Sequence, residues 1–127
     1  GTDSQNFSDT KMVSVVAASC EGHGGIFFYE ITRQPLITDV RKKLHIETNS
    51  SLNIATALVS EIEDEQKYEE LYLNSTFSIH VDAGNSNKGK TKELIPELVG
   101  WIHACGYDCS VKPDSYVASS IADKISK

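Results

Sequence analysis

The chain has 127 residues, of which 39% are hydrophobic and 24% charged, and this length and composition are typical of one folded domain with its own hydrophobic core. A net charge of −6 argues at first sight against a protein that coats nucleic acid. However, residues 61–70 hold six acids and one base, so the other 12 acids and 11 bases nearly cancel. The acidity is therefore concentrated in one segment, named here the acidic segment.

No stretch approaches the ~20 apolar residues that are needed to cross a bilayer. Three cysteines are too few and too odd in number for a disulfide framework, which favours a reducing compartment. We therefore expect a cytoplasmic protein without a membrane partner. Because the chain starts at Gly1, we also expect the natural chain to have further N-terminal residues.

The first half of the chain predicts a β-hairpin followed by a helix. Residues 11–19 are β-branched and largely apolar, glycines follow at 22, 24 and 25, and residues 26–31 form a second apolar run. The aromatic residues of that second run have the spacing of core residues. From Leu36 to about Gln66 apolar residues recur with a helical period, which predicts one long helix or two in line.

The second half predicts alternating strands and helices. Residues 76–81 form a strand that ends at Asp82, and a helix runs through Leu94 to Ile102, with Gly106 as its C-terminal cap. Residues 107–111 predict a short strand, and a last helix runs from about residue 114 to the C-terminus. Strand–helix–strand units imply parallel pairing with right-handed crossovers, so the fold class is mixed α/β.

Four carboxylates stand at unusual places in this pattern. Glu47 falls on the apolar stripe of the long helix, where a carboxylate is costly unless it is paired, metal-bound or able to reach solvent. Asp82 ends a strand, where it could bind a ligand or serve as a turn residue or helix cap. Asp3 directly precedes the hairpin, and if it lies on a strand beside Asp82 the two could share a cation. Asp123 lies about two turns into the last helix.

Such a set of acids suits a hard divalent cation. Mg²⁺ and Mn²⁺ prefer oxygen ligands and use few protein carboxylates. Two such ions close together can activate a water molecule and stabilise the leaving oxygen in phosphodiester cleavage. The four acids therefore predict a metal-dependent phosphodiesterase.

Three stretches carry a family resemblance. They are Gly-Thr-Asp-Ser-Gln at residues 1–5, His-Val-Asp-Ala-Gly at 80–84 with Gly-Lys-Thr at 89–91, and the tail at 112–119 with Ala122-Asp123. Together they resemble the YkuK family of ribonuclease H-like proteins over essentially the whole chain.

The resemblance implies one ribonuclease H-like domain over residues 1–127. Its mixed sheet would combine antiparallel hairpin strands with parallel strands, flanked by helices. It also implies a central first strand that begins upstream of Asp3. The expected activity is that of a metal-dependent nuclease using Mg²⁺ or Mn²⁺.

By the same resemblance, Asp3, Glu47, Asp82 and Asp123 are the expected catalytic and metal-binding residues, with Asp114 as an alternative to the last. The expected partner is nucleic acid, either RNA, DNA or a hybrid. Lys90 and Lys112 are candidates for contacting its phosphates.

Two other interpretations of the sequence stay open. The first is a ribonuclease H-like module that binds nucleic acid or assembles with partners but has lost catalysis. The second is a nucleotide-binding P-loop, because residues 84–91 match G-x-x-x-x-G-K-[ST] between a strand and a helix. Against the P-loop, no later apolar strand ends in an Asp for Mg²⁺, and Asp82 places a negative charge beside the supposed phosphate site.

Overall fold

A computed structural model describes residues 1–20, 22–84, 90–112 and 124–127 of the protein. Its strands are β1 (Thr2–Asn6), β2 (Thr10–Cys20), β3 (Gly24–Gln34), β4 (Ser78–Gly84) and β5 (Asp108–Lys112). Its helices are α1 (Val40–Asp64), α2 (Glu69–Asn74) and α3 (Lys90–Ala104), with a 3₁₀ turn at Gln66–Tyr68. The predicted last helix lies largely outside the described residues, as do Asp114 and Asp123, although residues 124–126 are helical.

The first three strands form an antiparallel sheet in the order β1-β2-β3. Asp3 lies opposite Val13, which in turn lies opposite Ile31. Gly22 in the turn between β2 and β3 and Gly24 at the start of β3 both have φ +79°, a left-handed conformation that costs glycine least. The predicted hairpin is confirmed, and β1 adds a third strand that carries Asp3.

The remaining strands, β4 and β5, are parallel and connected through α3, with Ile79 opposite Cys109. At the end of α3, Gly106 has φ +91° and donates a backbone hydrogen bond of 2.9 Å to the carbonyl of His103. This arrangement is a helix C-terminal cap, in which only glycine adopts the positive φ without strain. The predicted strand, helix, glycine cap and strand are therefore confirmed.

Helix α1 is one continuous helix of 25 residues. It begins later than Leu36, because Asp39 is the N-cap and its side chain accepts a hydrogen bond of 3.1 Å from the backbone N–H of Arg41. The acidic segment covers the end of α1, the 3₁₀ turn and the start of α2, and its charged side chains are exposed. The 3₁₀ turn and α2 were not predicted from the sequence.

The main core lies between α1, α3 and β4. Its buried members are Leu44, Leu52, Ile79, Val81, Leu94, Leu98 and Ile102. Val13 and Val15 of β2 form a second, smaller cluster against Ile125. The main core fixes α1 relative to β4, and so positions Glu47 and Asp82.

The aromatic residues of β3 are exposed, contrary to their core-like spacing. Phe27, Phe28 and Tyr29 are 47%, 63% and 56% exposed. Strand β3 is the edge of its sheet, and α1 packs against β1, β2 and β4. The prediction that these aromatic residues lie in the hydrophobic core is therefore wrong.

Replacing Leu98 by alanine is expected to destabilise the fold by about 3 kcal/mol, because Leu98 is fully buried in the main core and its loss leaves a cavity. Chemical denaturation measures the free energy of unfolding. Leu73→Ala is the matched control, since Leu73 is 70% exposed and should change stability by less than about 0.5 kcal/mol. Equal effects of the two substitutions would contradict this view of the core.

Of the helices in the described part of the chain, none combines the length and apolar composition required to cross a bilayer.

Candidate functional site

Asp3 and Asp82 come together where β1 packs against β4. Asp3 is 7% exposed, and its carboxyl group forms a hydrogen bond with that of Asp82. Two carboxyl groups hydrogen-bond to each other only when a proton lies between them, since two ionised groups repel. The sequence predicted this pair of acids on the condition that Asp3 lay on a strand. Asp3 lies on β1, so the condition is met.

Burial and the neighbouring charge both act on Asp3. Burial, followed by the charge of Asp82, raises the pKa of Asp3 to about 6, although a hydrogen bond from Ser126 acts in the opposite direction. The Ser126 hydroxyl donates to Oδ2 of Asp3 at 3.0 Å. The C-terminal residues of the chain therefore contact the carboxyl group that stands near its N-terminus.

Glu47 points into the protein from α1 and is 6% exposed. Burial raises its pKa to about 8, and the charges of Asp3 and Asp82 also raise it, whereas Lys43 and a hydrogen bond from Ser4 lower it. The hydroxyl of Ser4, itself buried, donates to Oε1 of Glu47. Glu47 does not reach solvent, so the boundary interpretation of its place on the helical stripe is wrong.

Hydroxyl groups connect the three elements that carry the site. Oγ1 of Thr2 on β1 lies 2.9 Å from the hydroxyl of Ser14 on β2 and 2.8 Å from that of Ser51 on α1. Because Thr2 directly precedes Asp3, these hydrogen bonds fix the backbone of β1 at the candidate site. The neighbouring carboxylates are thus held on a rigid frame.

A small cavity lies between α1, β1 and β4. It is lined by Thr2, Glu47, Thr48, Ile79, His80, Val81 and Asp82. Burial lowers the pKa of His80, which favours its neutral form, and its buried Nδ1 has no hydrogen-bond partner among the described residues. Glu47 and Asp82 therefore share one enclosed polar space with a neutral imidazole.

These residues fit a hard divalent cation in the chemistry of their donors. Among the described residues, no group of three His, Cys, Asp or Glu side chains is spaced to hold a metal ion. Mg²⁺ needs no such group, because it commonly binds through one or two carboxylates and completes its shell with water and substrate phosphate. The pair Asp3 and Asp82 meets that requirement. Glu47 shares a cavity with Asp82, and its pKa responds to the charges of both aspartates, while Asp123 falls outside the described residues.

For the two candidate phosphate-binding lysines, the structure describes the backbone but not the side chain. Lys90 is the first residue of α3, and Lys112 pairs with Gly84, two residues beyond Asp82. Both backbones therefore stand near the carboxyl ends of β4 and β5, the edge where ligands bind in open α/β sheets. Their side chains lie outside the described part of the structure.

Two functional candidates were not identified from the sequence, namely Ser4 and Ser126. Ser4 could have been found, because alternation along β1 turns it to the opposite face from Asp3 and so toward α1. Ser126 gave no signal, since its contact with Asp3 joins opposite ends of the chain. Both supply hydroxyl donors to buried carboxyl groups.

Replacing Ser4 by alanine is expected to raise the pKa of Glu47 further, by about one unit, because the ionised carboxylate loses a hydrogen bond. An NMR titration of the Glu47 side chain measures this shift. Ser51→Ala is the control, since Ser51 is a buried hydroxyl on the same helix but bonds to Thr2. An unchanged pKa in Ser4→Ala would show that the hydroxyl does not stabilise the carboxylate.

The chain is similar to known proteins along its whole length. The chain is 33% identical to a Bacillus subtilis (strain 168) protein described as "Uncharacterized protein YkuK". The alignment is 141 positions long and covers all of this chain and 77% of that protein. No solved structure matches the chain. A family model described as "Ribonuclease H-like" matches residues 1–127. The chain therefore belongs to the ribonuclease H-like family, and its similarity to YkuK places it beside that member.

Proposed function

We propose that the protein is a metal-dependent nuclease that hydrolyses phosphodiester bonds in RNA or DNA with Mg²⁺ or Mn²⁺. One observation carries the proposal. A ribonuclease H-like chain brings Asp3 of β1 together with Asp82 of β4, and the charges of both act on the buried Glu47. Burying acids against one another is unfavourable for folding alone, and a bound cation would compensate for it.

Each residue has a proposed role. Asp3 and Asp82 hold the cations, and Glu47 and Asp123 complete the set of ligands. When bound, two divalent cations supply an activated water molecule and stabilisation of the leaving oxygen. Since the pKa of Glu47 is about 8, this residue is mostly protonated at pH 7 without metal, and a nearby positive charge would favour its ionised form.

The charge distribution is compatible with a nucleic-acid substrate. Glu63, near the start of the acidic segment, is 16 positions beyond Glu47 on α1, or about 24 Å along the helix axis. This separation is more than twice the screening length at physiological salt, so the acidic segment repels a substrate at the site only weakly. Lys90 and Lys112 are the proposed contacts to its phosphates.

Purified protein incubated with single-stranded RNA, DNA or a hybrid tests the proposal. We expect cleavage that requires Mn²⁺ or Mg²⁺ and disappears in Asp3→Asn and Asp82→Asn. Calorimetry measures whether the same substitutions weaken binding of Mn²⁺. The proposal fails if no substrate is cleaved and Mn²⁺ binding is the same in both variants as in the original chain.

The second candidate function is a ribonuclease H-like module that binds nucleic acid without cutting it. It is favoured by the buried Glu47, whose pKa of about 8 keeps it mostly protonated at pH 7, a form that does not bind a metal. It predicts that labelled RNA or DNA binds in EDTA, that no cleavage follows on adding Mn²⁺, and that Asp82→Asn binds as tightly as the original chain. Mn²⁺-dependent cleavage that Asp82→Asn abolishes would exclude it.

A nucleotide-binding P-loop receives less support. Residues 85–89 of the motif lie outside the described residues. Just ahead of the motif, Asp82 contacts Asp3, which places two acids where a phosphate would need positive charge. Absence of ATP or GTP binding in the presence of Mg²⁺ would remove this alternative.

We also propose a cytoplasmic location. All three cysteines are free, and Cys20 and Cys105 are exposed. Exposed thiols persist in a reducing compartment and tend to oxidise outside it.

A further inference from the structure

Lys43 lies on α1 one turn before Glu47. Residues four positions apart on a helix share a face, and their backbones are about 6 Å apart along the axis. The positive charge of Lys43 acts on the carboxyl group of Glu47, which agrees with this placement. A basic side chain therefore stands beside the candidate site, on the helix that contributes Glu47.

The side chain of Lys43 leads from the buried site toward solvent. Glu47 is buried, Lys43 is half-buried, and residues 38–42 around the start of α1 are exposed. Helical side chains lean toward the N-terminus of their helix, so the long stem of Lys43 extends from the level of Glu47 toward the exposed first turn. Its ammonium group is thus placed to meet a molecule that approaches the site from solvent.

No acid in the described part of the chain neutralises Lys43 by forming an ion pair with it. The ion pairs of α1 among the described residues join Arg41 and His45 to Glu97 of α3, at 3.8 Å and 3.2 Å. Asp39, one turn before Lys43, accepts a hydrogen bond from the backbone N–H of Arg41 instead. The positive charge of Lys43 is therefore available to a ligand.

We propose that Lys43 binds a phosphate group of a nucleic-acid strand, next to the phosphate that the acids and their cations would cleave. The proposal rests on the nuclease function proposed above and adds a substrate contact on α1 to Lys90 and Lys112. Every nucleotide of a strand carries a negatively charged phosphate, so a strand with one phosphate at the acids presents another close by. Lysine binds such a group as a point charge.

The alternative role for Lys43 is to act as the counter-charge of Glu47. A lysine in that role would form an ion pair with the carboxylate. The Glu47 carboxyl group instead accepts a hydrogen bond from the hydroxyl of Ser4, and the ion pairs among the described residues do not join it to Lys43. The geometry therefore favours a contact between Lys43 and the substrate.

Lys42 offers a matched control on the same helix turn. Successive residues of an α-helix are rotated by about 100°. Lys43 therefore lies about 40° from the direction of Glu47, whereas Lys42 lies about 140° from it. Because Lys42 is exposed and faces away from the candidate site, its charge serves to measure the effect of a nearby lysine that makes no specific contact.

Fluorescence anisotropy with a labelled single-stranded phosphorothioate oligonucleotide and Mn²⁺ tests the proposal. Phosphorothioate linkages keep the charge of a phosphodiester and resist hydrolysis, so that binding is measured without cleavage. Lys43→Met keeps the apolar stem and removes the charge. We expect about 5- to 10-fold weaker binding at 0.1 M salt, and a plot of log binding constant against log salt concentration that is less steep by about 0.7. Lys43→Arg and Lys42→Met should bind within about 2-fold of the original chain.

A neutral linkage identifies the phosphate that Lys43 contacts. A single methylphosphonate, which carries no charge, replaces each linkage of the oligonucleotide in turn. At one position it should weaken binding to the original chain by about 5-fold and leave binding to Lys43→Met unchanged, because the two changes remove the same contact. The same loss in both proteins at every position would overturn the proposal.

Two further results would also overturn it. One is an equal salt dependence of binding in Lys43→Met and the original chain. The other is weaker Mn²⁺ binding by Lys43→Met in calorimetry without oligonucleotide, because Lys43 would then act through Glu47.

The outcome is separable from that of the nuclease proposal. Binding that depends on Lys43, without cleavage of the phosphodiester form, would support the contact and contradict the nuclease function alone. Cleavage that depends on Asp82, with unchanged binding in Lys43→Met, would contradict the role of Lys43 alone.

Discussion

Replacing Asp82 by asparagine is expected to abolish metal-dependent cleavage of nucleic acid while raising the melting temperature of the metal-free protein. The carboxyl group of Asp82 hydrogen-bonds to that of Asp3, and its charge raises the pKa of Asp3. An amide at this position keeps the size of the side chain, removes the repulsion and donates a hydrogen bond to the ionised Asp3. It also removes a negatively charged oxygen ligand that the proposed cations require.

The two effects have different expected sizes. Loss of one group that stabilises a transition state commonly costs 10²–10³-fold in rate, so we expect at least about a 100-fold loss of cleavage. Relief of the repulsion should add about 1 kcal/mol at pH 7, equivalent to a few degrees in melting temperature. Gel assays with Mn²⁺ measure the first effect, and thermal denaturation in EDTA measures the second.

Asp64→Asn is the matched control, because Asp64 is an exposed aspartate at the end of α1. It should change neither cleavage nor melting temperature. Full activity in Asp82→Asn would remove Asp82 from the site. A lower melting temperature in that variant would show instead that Asp82 stabilises the fold, as a purely structural carboxylate does.

A large part of the fold followed from local pattern. The hairpin, the long helix and the β4–α3–β5 unit carry strong periodicity together with glycine signals, and all of them are present. The meeting of Asp3 with Asp82 was expected only on the condition that Asp3 lay on a strand beside the one that ends at Asp82, and β1 meets that condition by packing against β4. These features depend on residues close in sequence or on general rules of sheet topology.

Features that depend on long-range packing did not follow from the sequence. The exposure of Phe28 on β3 reflects which strands α1 covers, and the contact of Ser126 with Asp3 joins the two ends of the chain. For Glu47 the sequence left solvent contact and burial both open, and only the packing of α1 on β1 decided for burial. Helical period places a residue on a face, but does not say how far the neighbouring strand extends beneath it.

Replacing Glu47 by glutamine is expected to raise the melting temperature strongly above pH 8 and hardly at all near pH 4.5. The pKa of Glu47 is raised from 4.5 to about 8 in the folded protein. The unfolded chain therefore loses this proton first, and the stability that the neutral side chain provides below pH 4.5 is lost as pH rises toward 8. Glutamine cannot ionise, so the variant keeps this stability as the pH rises.

The expected gain is on the order of a few kcal/mol above pH 8, or about 5–10 °C in melting temperature. Thermal denaturation in EDTA between pH 4.5 and pH 9 measures the two curves, which should converge at the acidic end. Glu63→Gln is the control, because Glu63 is exposed on the same helix and should leave the shape of the curve unchanged. Parallel curves for Glu47→Gln and the original chain would show that Glu47 ionises normally.

Adding Mn²⁺ at pH 8 should narrow the difference in melting temperature between Glu47→Gln and the original chain. A cation that binds the folded state stabilises it in proportion to its affinity, and it also favours the ionised form of Glu47. The original chain should therefore gain more melting temperature from Mn²⁺ than Glu47→Gln does, while Glu63→Gln gains as much as the original. An equal gain in Glu47→Gln and the original chain would mean that Glu47 is a buried acid without a part in metal binding, and the ligands would then be Asp3 and Asp82 with residues still to be identified.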